Sequence, residues 1–145
     1  MNREVGRSGE EQAGRAPFED ALTGLVIGCA MEVHRHLGPG LLESVYESCL
    51  CQELAERNLS FVRQVSLPIM YKSTRIDGAY RMDIVIADRV VVEVKAVETL
   101  LPIHEAQILT YMQLSGFPLG LLLNFHTTML RHGIRRLSLK SSPPA

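Results

Sequence analysis

"VVVEVKAVETL" (residues 90–100) decides how this chain is read. The run is rich in valine, whose branched side chain suits a strand, and it is apolar enough to be buried. Yet it carries a carboxylate at Glu93 and an ammonium at Lys95. Side chains alternate faces along a strand, so Glu93 and Lys95 share one face while Val92 and Val94 take the other. A buried charge is costly unless it is paired or holds a metal. The two residues therefore belong to an ion-pair network, or they line a site that needs them.

The preceding strand, "AYRMDIVIA" (79–87), is interrupted in the same way by Asp83. A tight connection at Asp88-Arg89 joins the two strands as a hairpin. Its register decides where Asp83 points. A strict two-residue turn pairs Ala87 with Val90 and Ile84 with Glu93, which turns Asp83 to the opposite face. A three-residue loop over 87–89, or one bulge, sets Asp83 directly against Glu93. If the carboxylates share a site, the simple hairpin is excluded. Carboxylates that close raise each other's pKa unless a cation lies between them. Lys95 is one candidate cation. Mg²⁺, a hard ion that keeps several of its waters, is the other. These three residues alone leave both open.

Other elements extend on either side. Leu22, Val26, Cys29, Val33 and Leu37 fall at helical spacing, predicting a helix from about Glu19 to Leu37. "LGPG" (37–40) breaks it, and a second helix runs from Leu41 to about Arg57. "FVRQVSLPIMY" (61–71) reads as a strand in which Pro68 marks an edge or a bulge, and "KSTRIDG" (72–78) reads as a turn. Beyond the valine run, residues 103–115 form a helix with Pro102 near its first turn and Gly116 at its end. "LGLLLNF" (119–125) is a central strand, followed by a short one around Ile134 to Leu139.

The chain has 145 residues, 46% of them hydrophobic and 21% charged, values of an ordinary globular protein. One domain over 19–140 is expected, after a disordered leader at 1–18 and before a flexible tail at 141–145. No apolar run approaches the roughly 18 residues that span a bilayer. The leader lacks the apolar core of a signal peptide. Cys29, Cys49 and Cys51 are an odd number without disulfide-like spacing, which suits a reducing cytoplasm. Positions 49 and 51 do not share a helix face, so these thiols are read as structural rather than metal-binding. The net charge of −1 conceals a basic end: no acidic residue follows Glu105, and Arg131, Arg135, Arg136 and Lys140 contribute +4. Four charges are a weak footprint for nucleic acid.

Two helices carry further polar residues. Glu43, Tyr46 and Leu50 lie at i, i+3 and i+7, so a carboxylate borders a core-facing stripe. His104, Gln107 and Tyr111 repeat that spacing on the third helix, facing solvent or the acidic cluster.

Asp83, nine intervening residues, then Glu93-Val94-Lys95 resembles the PD-(D/E)xK nuclease superfamily, with Met82 where the name-giving proline stands. Gln107 and Tyr111 resemble the QxxxY element of its RecB-like branch. Gly40, Glu43 and Tyr46, in "GLLESVY", match the motif of a small family of this superfamily, the GxxExxY proteins. The resemblance covers about residues 20 to 139. It implies an α/β, restriction-endonuclease-like core, a mixed sheet flanked by helices. It also implies that Asp83, Glu93 and the Val94 carbonyl hold Mg²⁺ or Mn²⁺, with Glu43 as an added acidic ligand or water-binder. Lys95 would orient and help deprotonate the attacking water. Gln107 and Tyr111 would position metal ligands or a substrate phosphate. For His34 and His104, which lie in family-typical stretches, a direct catalytic role is the lesser reading. His126 and His132 are surface or packing residues.

The expected function is metal-dependent phosphodiester hydrolysis of nucleic acid, with DNA as the first candidate. A chain this short has no separate recognition domain, so sequence-specific cutting would need a homodimer or a partner protein. The alternatives are a non-catalytic module that binds nucleic acid or protein, and a metal-dependent hydrolase of small nucleotides.

Overall fold

A computed structural model describes residues 17–139, with side chains from residue 21 onward. The leader's first 16 residues, Lys140 of the basic end and the tail at 141–145 lie outside the described residues. Helix α1 (Pro17–Leu37) starts two residues before the periodicity predicted, and helix α2 (Glu43–Glu56) starts two residues later than expected. Gly38 and Gly40 separate the helices at φ 67° and 103°, a region that costs a side-chain-bearing residue about 1 kcal/mol or more. Leu22, Val26, Cys29, Ala30 and Val33 bury one stripe of α1, whereas Leu37 remains 36% exposed.

Strands β1 (Phe61–Tyr71) and β2 (Thr74–Ile86) form a long hairpin. "KSTRIDG" is therefore mostly strand, because Tyr71 already pairs with Thr74. Lys72, at φ 55°, takes the left-handed conformation that a two-residue turn requires. Pro68 lies where the register shifts, between Leu67 and Ile69 on the edge strand, so it marks both an edge and a bulge.

β2 pairs antiparallel with β3 (Val90–Lys95), through Ile86 with Val90 and Ile84 with Val92. The loop is thus three residues long. Ala87 and Asp88 both adopt φ 53°, and the Arg89 N–H closes the turn on the Ile86 carbonyl at 2.9 Å. Arg89 is the extra residue, and it reverses which face Asp83 takes.

Helix α3 (Pro102–Ser115) leads to β4 (Leu119–Asn124), which lies parallel to β3, and β5 (Ile134–Ser138) pairs antiparallel with β4. The sheet order is β1-β2-β3-β4-β5. A 3-10 turn at Leu130–Gly133, which the sequence did not signal, leads into β5.

The valine alternation builds both layers. Val90, Val92 and Val94 pack with Ile84, Leu121 and Leu123 against α1 and α2. Val91 packs with Val85 and Leu122 against Ile108, Tyr111 and Met112 of α3. Each buried valine contributes about 2 kcal/mol by removing apolar surface from water. That gain is what allows charged residues elsewhere on the same strand. Two glycines permit close approaches. A Cβ at Gly120 would meet the flexible Met112 Sδ at 2.6 Å, while one at Gly133 would lie 2.3 Å from the backbone oxygen of Asn124. Gly133→Ala therefore lowers unfolding free energy by about 2–3 kcal/mol in urea titration, since backbone gives way less easily than a side chain. An unchanged urea midpoint would mean that the 3-10 turn relaxes freely.

Candidate active site

Asp83 and Glu93 face each other across β2 and β3. The Asp83 N–H donates to Glu93 Oε2 at 2.9 Å, and the Val94 N–H donates to Asp83 Oδ2 at 2.9 Å. Each carboxyl thus ties one oxygen to the neighbouring strand's backbone, which holds both groups rigidly. Glu93 is only 4% exposed. Burial, then the charge of Asp83, pushes its pKa up to about 8. Burial also raises Asp83, with Glu47 and Glu43 adding to the shift and the Val94 N–H and Lys95 opposing it. Among the described residues, Lys95 forms no ion pair with either carboxylate. Its charge is close enough to lower both pKa values without neutralising the pair. The ion-pair network left open by the sequence is therefore not formed.

Helix α2 reaches this end of β3 through a defined loop. The Tyr46 hydroxyl donates to the Gly38 carbonyl and accepts from the Leu41 N–H at 3.1 Å. Its ring stacks on Phe125, with centroids 4.5 Å apart. Gly40 supplies the turn and Tyr46 clamps it, so Glu43 begins the helix next to the strand end. Glu43 Oε2 accepts from the Ala96 N–H at 3.0 Å, just past β3. Its carboxylate is exposed and engaged there. Among the described residues, no three His, Cys, Asp or Glu side chains gather into a metal-holding group.

One turn further on, Glu47 is buried, which spacing alone did not reveal. It accepts from Arg63 Nε at 3.1 Å and from Gln64 Nε2 at 2.9 Å. Gln64 stands opposite Asp83 in the register, at φ 54° within a strand. A left-handed glutamine there is strained, and the Glu47 carboxylate holds it in place. Glu47 lies four residues after Glu43 on one helix face, the only sequence signal that could have found it.

From the other layer, α3 presents Tyr111. It is buried, and its pKa is pushed up to about 12 by burial and then by the charges of Glu93 and Asp83. Gln107, one turn earlier, lines a cavity of about 190 Å³ with Tyr80, Tyr111 and Thr110. His104 serves the backbone instead, since its Nδ1 accepts from the Leu101 N–H at 2.9 Å and caps α3. His34 Nε2 contacts the Thr127 carbonyl at 2.8 Å, on the α1 side of the sheet.

Asn124, at the end of β4, was also missed. Its Oδ1 accepts from the Val97 N–H at 3.0 Å, and its Nδ2 donates to the Val97 carbonyl at 2.9 Å. This two-bond clasp fixes the chain as it leaves Lys95. Asn124→Leu leaves the half-buried Val97 N–H and carbonyl without these partners and costs about 1–3 kcal/mol in denaturant titration. A cost below about 1 kcal/mol would show that the clasp is dispensable.

A nuclease family model matches residues 20–137, a span that takes in both strands, Glu43, Gln107 and Tyr111. The chain belongs to the PD-(D/E)XK nuclease superfamily. Neither a curated protein nor a solved structure matches it significantly. The five-stranded mixed sheet with three helices agrees with the fold of PD-(D/E)XK nucleases. Nucleases of this superfamily generally use divalent metal ions. The donor set of this PD-(D/E)XK chain fits such an ion. Two carboxyls are held face to face with pKa values raised chiefly by burial, and for Glu93 also by the charge of Asp83, and a cation between them would offset both effects. A pair of carboxylates is also the complement that suits Mg²⁺, which keeps several waters. No helix among the described residues is long and apolar enough to cross a membrane.

Proposed function

We propose that this protein hydrolyses phosphodiester bonds of nucleic acid, DNA first, and that it belongs to the GxxExxY branch of its superfamily. The observation that carries the reading is the cross-strand pair of a buried Glu93 and a half-buried Asp83, each hydrogen-bonded to the other strand's backbone, with the charge of Asp83 acting on Glu93 and no ion pair to Lys95 among the described residues. An ion pair would need no such arrangement, whereas a bound cation does.

Asp83, Glu93 and the Val94 carbonyl hold Mg²⁺ or Mn²⁺ in this reading. When bound, the ion lowers the pKa of the attacking water and polarises the scissile phosphate. Lys95 shares a strand face with Glu93 and orients the water, then offsets charge that builds on the phosphorus-centred transition state. Glu43, exposed at the mouth of the site, binds water beside the ion. Tyr111 and Gln107 position the substrate nucleotide, and through it the scissile phosphate, from α3. Glu47 holds the Gln64 segment opposite Asp83 and so keeps the hairpin in register.

The experiment is cleavage of single-stranded, duplex and branched DNA, and of RNA, with Mg²⁺ or Mn²⁺, beside Glu93→Ala. Cleavage by the wild type that the variant loses supports the enzyme. Binding without cutting of any polymer would reduce the protein to a nucleic-acid module.

A further inference from the structure

We propose that the cavity between α3 and β2 receives an unpaired nucleobase next to the scissile phosphate, so that the substrate is single-stranded or frayed DNA. This rests on the phosphodiesterase reading and adds the substrate class to it. The cavity, about 190 Å³, is lined by Tyr80, Ile103, Ala106, Gln107, Thr110 and Tyr111. That volume is on the scale of one planar base. Tyr80 and Tyr111 stand 5.5 Å apart with their rings inclined by 58°, which leaves an aromatic wall rather than a closed stack. Stacking on such a wall accepts any base, because every base has a π-face. Ile103, 66% exposed, forms an apolar lip that water solvates poorly.

Polar groups orient the edge of the base. The Thr110 hydroxyl is spent on the Ala106 carbonyl at 3.0 Å, so it does not compete for a ligand. Gln107, partly buried, makes no hydrogen bond among the described residues, and its amide can both donate and accept. The position matters equally. Tyr111 forms one wall of the cavity and feels the charges of Glu93 and Asp83, so the cavity lies on the α3 side of the sheet within the field of the acids, and the phosphate of a base seated there is directed toward them.

Overall charge points the same way. Proteins that track a duplex neutralise roughly 6–10 phosphates, and a chain of net charge −1 with a pI near 6.5 is poorly equipped for that. Affinity must then come from contacts that a base-paired nucleotide cannot make. A bland gap between helix and sheet would be lined by aliphatic groups and would lie anywhere in the fold. This one is walled by two tyrosines, carries an uncommitted amide, and its Tyr111 feels the charges of the acids.

Binding without metal tests the cavity apart from hydrolysis. Single-stranded 12-mers carrying 2-aminopurine at successive positions are titrated into the full chain in a chelator, beside a blunt duplex of the same sequence. Quenching at one position, and affinity at least about tenfold tighter than for the duplex, is the expected result. Tyr80→Ala weakens strand binding about tenfold and abolishes the quench, and Tyr80→Phe restores both. Ala106→Leu fills the cavity from an exposed helix position and weakens binding without disturbing the core, which keeps the test valid if Tyr80→Ala folds poorly. The same strand as RNA is run in parallel; a quench with RNA alone overturns the DNA assignment. Equal affinity for strand and duplex, or indifference to both cavity variants, overturns the proposal. Quenching without Mn²⁺-supported cleavage sinks the hydrolase reading alone, and cleavage without a quench sinks the cavity alone.

Discussion

Lys95→Ala lowers Mn²⁺-supported cleavage of single-stranded DNA about 1000-fold or more, while its melting temperature stays within a few degrees of wild type. The size follows from two roles lost together. A positioned proton-transfer group contributes about 10²–10⁴ in rate, and one charge aimed at the transition state about 10²–10³. The stability expectation follows from geometry. Lys95 forms no ion pair with Asp83 or Glu93 among the described residues, so its removal breaks no bridge. Lys95→Arg stays within about tenfold of the alanine variant, because a guanidinium keeps the charge but remains protonated and is bulkier. Single-turnover cleavage and thermal melting on the same preparations separate the readings. A large drop in melting temperature with cleavage nearly unchanged would return Lys95 to a purely structural role.

Metal-free protein loses stability as pH rises from about 5 to about 8, and Glu93→Gln removes that loss. The Glu93 carboxyl is buried and titrates near pH 8, against about 4.5 for an ordinary glutamate. Below the lower value both folded and unfolded chains are protonated, and there is no penalty. Between the two values the unfolded chain releases its proton while the native chain keeps it. The native state then binds more protons, and unfolding free energy falls by about 1.4 kcal/mol per pH unit. Above about pH 8 the loss is complete, so Glu93→Gln is the more stable protein there by several kcal/mol. Asp83, also raised, contributes a loss of the same sign that begins at lower pH, from its ordinary value near 3.8 upward. Mn²⁺ at pH 8 reverses the loss for the wild type, since it binds only the ionised native pair, and leaves Glu93→Gln nearly unmoved. Melting curves at pH 5, 6.5 and 8, with and without Mn²⁺, give the comparison. A wild type whose stability is flat across that range, or a variant that Mn²⁺ stabilises equally, contradicts the assignment of Glu93.

Much of this site was legible because charge inside a valine strand is anomalous. Asp83, Glu93 and Lys95 stood out against their neighbours, and side-chain alternation dictated which loop length would bring the acids together. The loop has that length. Glu47 and Asn124 were not legible. One resembles any glutamate on a helix, the other any polar residue at a strand end, and only their burial and partners distinguish them. Tyr80 faces Tyr111 because α3 crosses that side of the sheet, a relation between residues 31 positions apart. "KSTRIDG" misled because its polar residues suit turns, yet the hairpin arm is largely solvated on both faces and tolerates them.

By itself, then, the chain determined the order of its elements, the two faces of β3 and the identity of the acids and lysine between them. Those follow from local physics: helical and strand periodicity, backbone freedom at glycine and proline, and the cost of a buried charge. Only the tertiary structure decided that Lys95 forms no ion pair with the carboxylates among the described residues, that Glu47 rather than Glu43 is buried, and that a cavity walled by Tyr80 and Tyr111 opens between α3 and β2. Those depend on the packing of α2 and α3 against opposite faces of the sheet, which brings together groups dozens of residues apart and carries no periodic mark along the chain.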